Sequence, residues 1–138
     1  MPFDLGSAEG SGARFAPQEI RIQSKKVGYY NHETKVAPFS IYKIADVGDV
    51  PIYNKLDLNK GLDEIETFYQ EIVKNKVIPI SVGGDHSITY PILKALGKEK
   101  PLNLIHFDAH CDTDSDYHGE KYYHGAVIRN IIESGSVN

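Results

Sequence analysis

The chain contains a single cysteine, Cys111, in 138 residues. An internal disulfide framework is therefore excluded, and a reducing compartment suits the composition. No apolar run approaches the roughly 20 residues that a membrane-spanning helix requires. The opening Met1-Pro2-Phe3-Asp4 lacks the basic and apolar regions of a secretory signal. A basic excess is missing too. Fifteen Lys and Arg stand against nineteen Asp and Glu, a formal net charge of −4, which argues against nucleic acid or an anionic membrane as partner. There is no internal repeat and no low-complexity tract. What is present is ordinary for a globular domain, with 41% hydrophobic and 25% charged residues and enough length for one real core. The expectation is one soluble, cytoplasmic domain over residues 1–138.

Hydrophobic periodicity organises the chain. Gly6-Ser7-Ala8-Glu9-Gly10-Ser11-Gly12 reads as a loop, and Pro17 suits the first turn of a short helix with Ile20 and Ile22. Ile41–Val47 reads as a strand closed by Gly48-Asp49. From Gly61 to Lys74, Leu62, Ile65, Phe68, Ile72 and Val73 recur at helical spacing. Val77–Val82 reads as a buried strand ending at Gly83-Gly84. A helix is predicted from Ser87 to Leu96, with Gly97 ending it. Leu102–Phe107 is a further strand, and Ala126–Ser134 a further helix ended by Gly135. Strands and helices alternate, which predicts an α/β fold with a parallel sheet covered by helices on both faces.

Two of these strands deliver polar groups at their carboxyl ends, where open parallel sheets bind ligands. One leads into Asp108-Ala109-His110-Cys111-Asp112. In an extended strand, residues i, i+2 and i+4 share a face, so Asp108, His110 and Asp112 are expected to point together. Two carboxylates around one imidazole call for a balancing charge, and a divalent cation is the simplest. The other strand leads into Gly83-Gly84-Asp85-His86-Ser87. Neighbouring strands lie about 5 Å apart, which brings His86 within reach of the same cluster. Mixed nitrogen and oxygen ligation fits Mn²⁺, Fe²⁺, Co²⁺ or Zn²⁺ better than Mg²⁺ or Ca²⁺.

Plainer readings compete for the remaining polar residues. A loop position for His86 and helix capping by Asp85 or Ser87 need no metal. His106 reads as a satisfied core histidine or a support for the ligands, and Cys111 as a small buried hydrophobe. Asp114, Asp116, His118 and Glu120 read as a solvated loop. His124, at a helix start, is a candidate proton shuttle.

Gly83-Gly84-Asp85-His86-Ser87 together with Phe107-Asp108-Ala109-His110-Cys111-Asp112 resembles the ureohydrolase (arginase/agmatinase) superfamily. Pro2-Phe3-Asp4 and the run Gly12–Arg21 resemble an agmatinase-type opening. Asp46-Val47-Gly48-Asp49-Val50 and Tyr123-His124-Gly125 with Arg129 resemble further segments of the same family, so the likeness covers nearly the whole chain. It is nearer to agmatinases and guanidino-acid hydrolases than to arginases proper.

The resemblance implies a three-layer α/β/α fold with a parallel sheet, and a binuclear manganese (Mn²⁺) centre. It also implies hydrolysis of a linear guanidino compound, such as agmatine or a guanidino acid, to urea and an amine through a hydroxide bridging the metals. By carry-over, His86 would ligate one ion and His110 the other. Asp108 would bridge them, Asp112 would join His86 in ligating the first ion, and His124 would carry protons. Relatives form homo-oligomers. They also supply two more bridging aspartates from a Ser-x-Asp-x-Asp-type motif that these 138 residues lack, so the chain reads as the N-terminal portion of one domain. Ala126-Val127 stands where agmatinases commonly carry Thr-Pro. Two alternatives stay open: a non-catalytic relative that binds metal or a full-length subunit, and a metal-dependent amide hydrolase of the same fold.

Overall fold

A computed structural model describes residues 1–138. Its longest element is helix α3, Leu58–Lys74, which follows α1, Ala16–Ser24, and the single turn α2, Pro38–Ile41. Asp57 caps α3 by accepting the Lys60 N–H at 3.1 Å, satisfying one of the donors that a helix start leaves unpaired. Leu62, Ile65 and Tyr69, three and four residues apart, are its buried side chains along with Gly61. They pack with Phe3 and with Ile88, Ile92 and Ala95 in one apolar core. Helix α4, Thr89–Leu96, starts from a 3-10 turn at His86–Ile88, and α5, Val127–Glu133, from another at His124–Ala126. Val127, Ile128 and Ile131 of α5 make a second, smaller core against Leu93, Leu104 and Val137. No helix is long and apolar enough to cross a membrane.

The chain start is pinned beside the segment that precedes α4. The Met1 ammonium donates to the Val82 carbonyl at 2.5 Å, and Asp85 N–H donates to the Phe3 carbonyl at 2.9 Å. Asp4 is buried and accepts Gly12 N–H at 2.7 Å, Arg14 N–H at 3.1 Å and Arg14 Nε at 2.5 Å. Those bonds fold the first loop back onto α1, whose first turn holds Pro17 as expected. Arg21 extends from α1 to Asp46 and Asp49 at 2.7 and 2.8 Å.

The expected strands need correction. Leu102 and Val137 form a parallel bridge across α5, with Leu102 N–H to Ser136 O at 3.0 Å and Asn138 N–H to Leu102 O at 2.9 Å. That is the direction predicted for an α/β unit. Yet no backbone hydrogen bond joins 77–82 to 102–107, so the segments run extended without a ladder. Burial alternates along 101–107, with the even residues partly covered and the odd ones exposed. Parallel sheets are stable when helices cover both faces, and here one face stands open: Ile78, Ile80, Ile105 and Phe107 are all exposed. Ile41–Val47 is likewise not a paired strand. Pro38, suited to a first helical turn, draws 38–41 into α2, and the chain beyond it is irregular.

Candidate metal centre

The two segments predicted to carry chemistry do meet. Gly83 and Gly84 both adopt positive φ, +79° and +91°, a conformation that L side chains rarely take. A Cβ at Gly83 would also lie 2.8 Å from Pro17 Cδ. This turn throws His86 forward into the 3-10 turn that opens α4. Opposite it, the extended segment 102–107 places His106 and then Asp108 on one side by the two-residue period.

His86, His106, Asp108 and Asp112 offer one ligand atom each, all within 4.8 Å of one another. His86 Nδ1 lies 2.5 Å from Asp112 Oδ2 and 3.6 Å from Asp108 Oδ2. His106 Nε2 lies 3.5 Å from Asp108 Oδ2. The two imidazoles stack with ring centroids 5.4 Å apart. His106 Nε2 is buried and makes no hydrogen bond, a costly state for a polar atom unless something else bonds it. Two imidazole nitrogens, one of them buried and unpartnered, and two carboxylates fit a transition-type divalent ion. Asp108 is held below the usual carboxylate range, first by the His110 N–H and then by the facing histidines, so it is anionic and ready to ligate.

The same-face expectation for Asp108, His110 and Asp112 holds only in part. Asp108 Oδ1 accepts His110 N–H at 2.9 Å, a side-chain turn that ends the extended run. Asp112 then takes φ +50°, and its carbonyl accepts Ile128 N–H at 2.9 Å at the start of α5. The chain bends at Ala109-His110 and again changes direction at Asp112. Asp112 swings in and is buried, while the His110 side chain is 81% exposed and stays outside the four-residue group. It is not remote: His110 Nδ1 lies 3.5 Å from Asp108 Oδ1. Asp108 therefore turns one oxygen to His86 and His106 and the other to His110.

Cys111 is exposed rather than buried, because the same turn carries it outward. His106, expected as a satisfied core histidine or a support for the ligands, is neither satisfied nor apart: its Nε2 has no hydrogen bond and it is a member of the cluster. Its position two residues before Asp108 was the available signal. Asp85 caps as expected, accepting Ser87 N–H at 2.8 Å, and burial raises its carboxyl above the ordinary value.

His124 is held apart from the four. Its backbone N–H donates to Gly6 O at 2.9 Å. Its Nδ1 lies 3.2 Å from the Ala8 N–H donor and 3.0 Å from Gly6 O. The neighbouring Tyr123 hydroxyl donates to Asp114, which pushes the phenol up to about 12. The loop between Asp112 and His124 is thus tied at Asp114, which also donates its N–H to Gly125 O at 3.1 Å.

A histidine and aspartate cluster where an unpaired segment meets a helix start is the kind of site built by metal-dependent hydrolases. The comparisons narrow that class. The chain belongs to the Arginase family, whose profile matches residues 1–138. It is 42% identical to the guanidinopropionase of Pseudomonas aeruginosa over 98% of this chain and 42% of that protein. With the mitochondrial agmatinase of Gallus gallus it shares 46% identity, over 98% of this chain and 40% of that one. Among solved structures, the agmatine ureohydrolase of Thermoplasma volcanium superposes with a TM-score of 0.82 at 32% identity, covering 96% of this chain and 43% of the other. The arginase of Medicago truncatula superposes with a TM-score of 0.86 at 28% identity, covering 99% and 45%. The chain thus spans about two fifths of the length of the curated relatives it matches, and the shared α/β fold is that of the arginase-like proteins.

Proposed function

We propose that residues 1–138 form the part of a guanidino-compound hydrolase that holds one side of a two-metal centre. The carrying observation is the division of Asp108. Its Oδ2 faces His86 and His106, and its Oδ1 faces His110. A carboxylate with a donor on each side is what two ions roughly 3.5–4 Å apart would share. His86, His106 and Asp112 would hold the first ion with Asp108, and His110 would serve the second. Manganese is the proposed metal, by the donor set and by family membership. When bound, such ions lower the pKa of a coordinated water and so supply a nucleophile at neutral pH.

The remaining work falls to side chains. Asp108 and Asp112 bring negative charge that would also favour a guanidinium near the centre. His124, tied to the N-terminal loop, is proposed to carry the proton that the departing amine needs. Relatives named for agmatine and for guanidino acids share this stretch, which supports a linear guanidino substrate and a release of urea.

The test is urea release, with Mn²⁺, from agmatine, 3-guanidinopropanoate and 4-guanidinobutanoate by the polypeptide that carries this stretch. Urea from at least one substrate, abolished by His86→Ala, is expected. No urea from any guanidino compound by the manganese-loaded protein would overturn the reading, and turnover of acylated amines instead would favour an amide hydrolase.

A further inference from the structure

The loop Gly6–Ala8 lies between Asp85 and His124 and is bonded to both. Gly6 N–H donates to Asp85 Oδ2 at 2.9 Å. The other Asp85 oxygen accepts Ser87 N–H at 2.8 Å and the Ser87 hydroxyl. On its far side, Gly6 O accepts the backbone N–H of His124 at 2.9 Å. No side chain fits here, since a Cβ on Gly6 would stand 2.4 Å from Ser87 Oγ and 2.5 Å from Ser87 Cβ. The Gly6 peptide is therefore fixed from both ends by a carboxylate and a backbone amide.

That fixation decides what surrounds His124 Nδ1. The nitrogen has a donor, Ala8 N–H, at 3.2 Å and an acceptor, Gly6 O, at 3.0 Å. A single ring nitrogen either accepts or donates, so only one of the two contacts is a hydrogen bond in a given neutral form. Gly6 O is already satisfied by the His124 backbone N–H, whereas Ala8 N–H has no other acceptor. Leaving a part-buried N–H without a partner is the costlier choice. The bond that forms is Ala8 N–H to Nδ1, which leaves the ring proton on Nε2.

We propose that Asp85 is a positioning residue for His124. By holding Gly6 it keeps the Ala8 N–H on Nδ1, so that neutral His124 carries its proton on Nε2 and exchanges protons only there. The role in turnover rests on His124 being the proton carrier proposed above. The tautomer itself does not, and it can be read without substrate or metal.

The experiment is a two-bond ¹H–¹⁵N correlation spectrum of the ¹⁵N-labelled chain at about pH 9, where an ordinary histidine is neutral, with His124 assigned from a His124→Gln spectrum. In the unsubstituted protein His124 should show one tautomer, with Nδ1 unprotonated. Asp85→Asn places an amide N–H against either Gly6 or Ser87 and should give a mixture with the Nδ1–H form. Ser87→Ala leaves the Gly6 bond intact and should keep the single tautomer. Where Asp85→Asn loses the dispersed amide signals of α3 and α4, Ala8→Pro removes the donor with Asp85 in place, and the Nδ1–H form should take over. Folded Asp85→Asn or Ala8→Pro protein whose His124 stays wholly Nε2–H would overturn the proposal. So would an equal change in Ser87→Ala. Absence of urea release would overturn the hydrolase reading and leave this result standing.

Discussion

His106 Nε2 lies 3.5 Å from Asp108 Oδ2, buried and without a hydrogen bond. The pair sits two residues apart on an extended segment, so the separation is set by backbone period rather than by a flexible contact. A neutral imidazole nitrogen in that position can serve as a ligand. The His86 ring stacks on His106 from the facing 3-10 turn, and the buried Asp112, further along the same segment, closes the group.

The buried Asp4 ties acid stability to the N-terminal loop. The Arg14 guanidinium, and then two backbone N–H groups, hold its carboxyl below the ordinary value. A folded-state value below the unfolded one means that the stabilisation is complete above the ordinary carboxylate pKa and is lost as pH falls through the lower, folded value. Denaturant unfolding as a function of pH should show stability falling below about pH 4. Asp4→Asn should lower stability at neutral pH, through loss of the charged acceptor that holds Gly12 N–H and Arg14, and flatten the acid limb.

The core around α3 should be far less tolerant than the exposed segment 77–82. Ile65 is completely buried and Ile78 is 93% exposed. Ile65→Ala should lower unfolding stability by about 3 kcal/mol, and Ile78→Ala should change it by less than about 0.5 kcal/mol. Equal losses in chemical denaturation would show that Ile78 is covered.

Ile78, Ile80, Ile105 and Phe107 leave apolar surface in water in these 138 residues. The chain should bind a hydrophobic dye in its folded state, and Ile80→Lys with Phe107→Lys should lower that fluorescence while the helical circular dichroism is kept. Unchanged dye binding would place the apolar surface elsewhere.

Much of this architecture could be read from residue pattern. The helical spacing of Leu62, Ile65, Phe68, Ile72 and Val73 yields α3, although Tyr69 and not Phe68, Ile72 or Val73 is buried beside Leu62 and Ile65; the glycine pair before His86 yields the turn that aims it. The apolar run 102–107 was legible as a segment leading into Asp108, while the alternating burial that puts His106 on the more covered side comes from the structure. What pattern could not supply was the ladder, because pairing depends on covering both faces of a sheet and this stretch covers one. Nor could it supply the change of direction at 108–112. There an Asp108 side-chain bond and a left-handed Asp112 override the simple period, turning His110 and Cys111 out and leaving His106 in the cluster.

His86, His106, Asp108 and Asp112 should together hold a divalent ion. Calorimetric titration of the metal-stripped chain with Mn²⁺ tests this most directly, with His106→Ala and the loop variant His118→Ala run alongside. Binding by the unsubstituted chain and by His118→Ala is expected, with affinity falling more than about 100-fold in His106→Ala, beyond what loss of a mere supporting contact costs. Equal Mn²⁺ affinity in His106→Ala and the unsubstituted chain would contradict it.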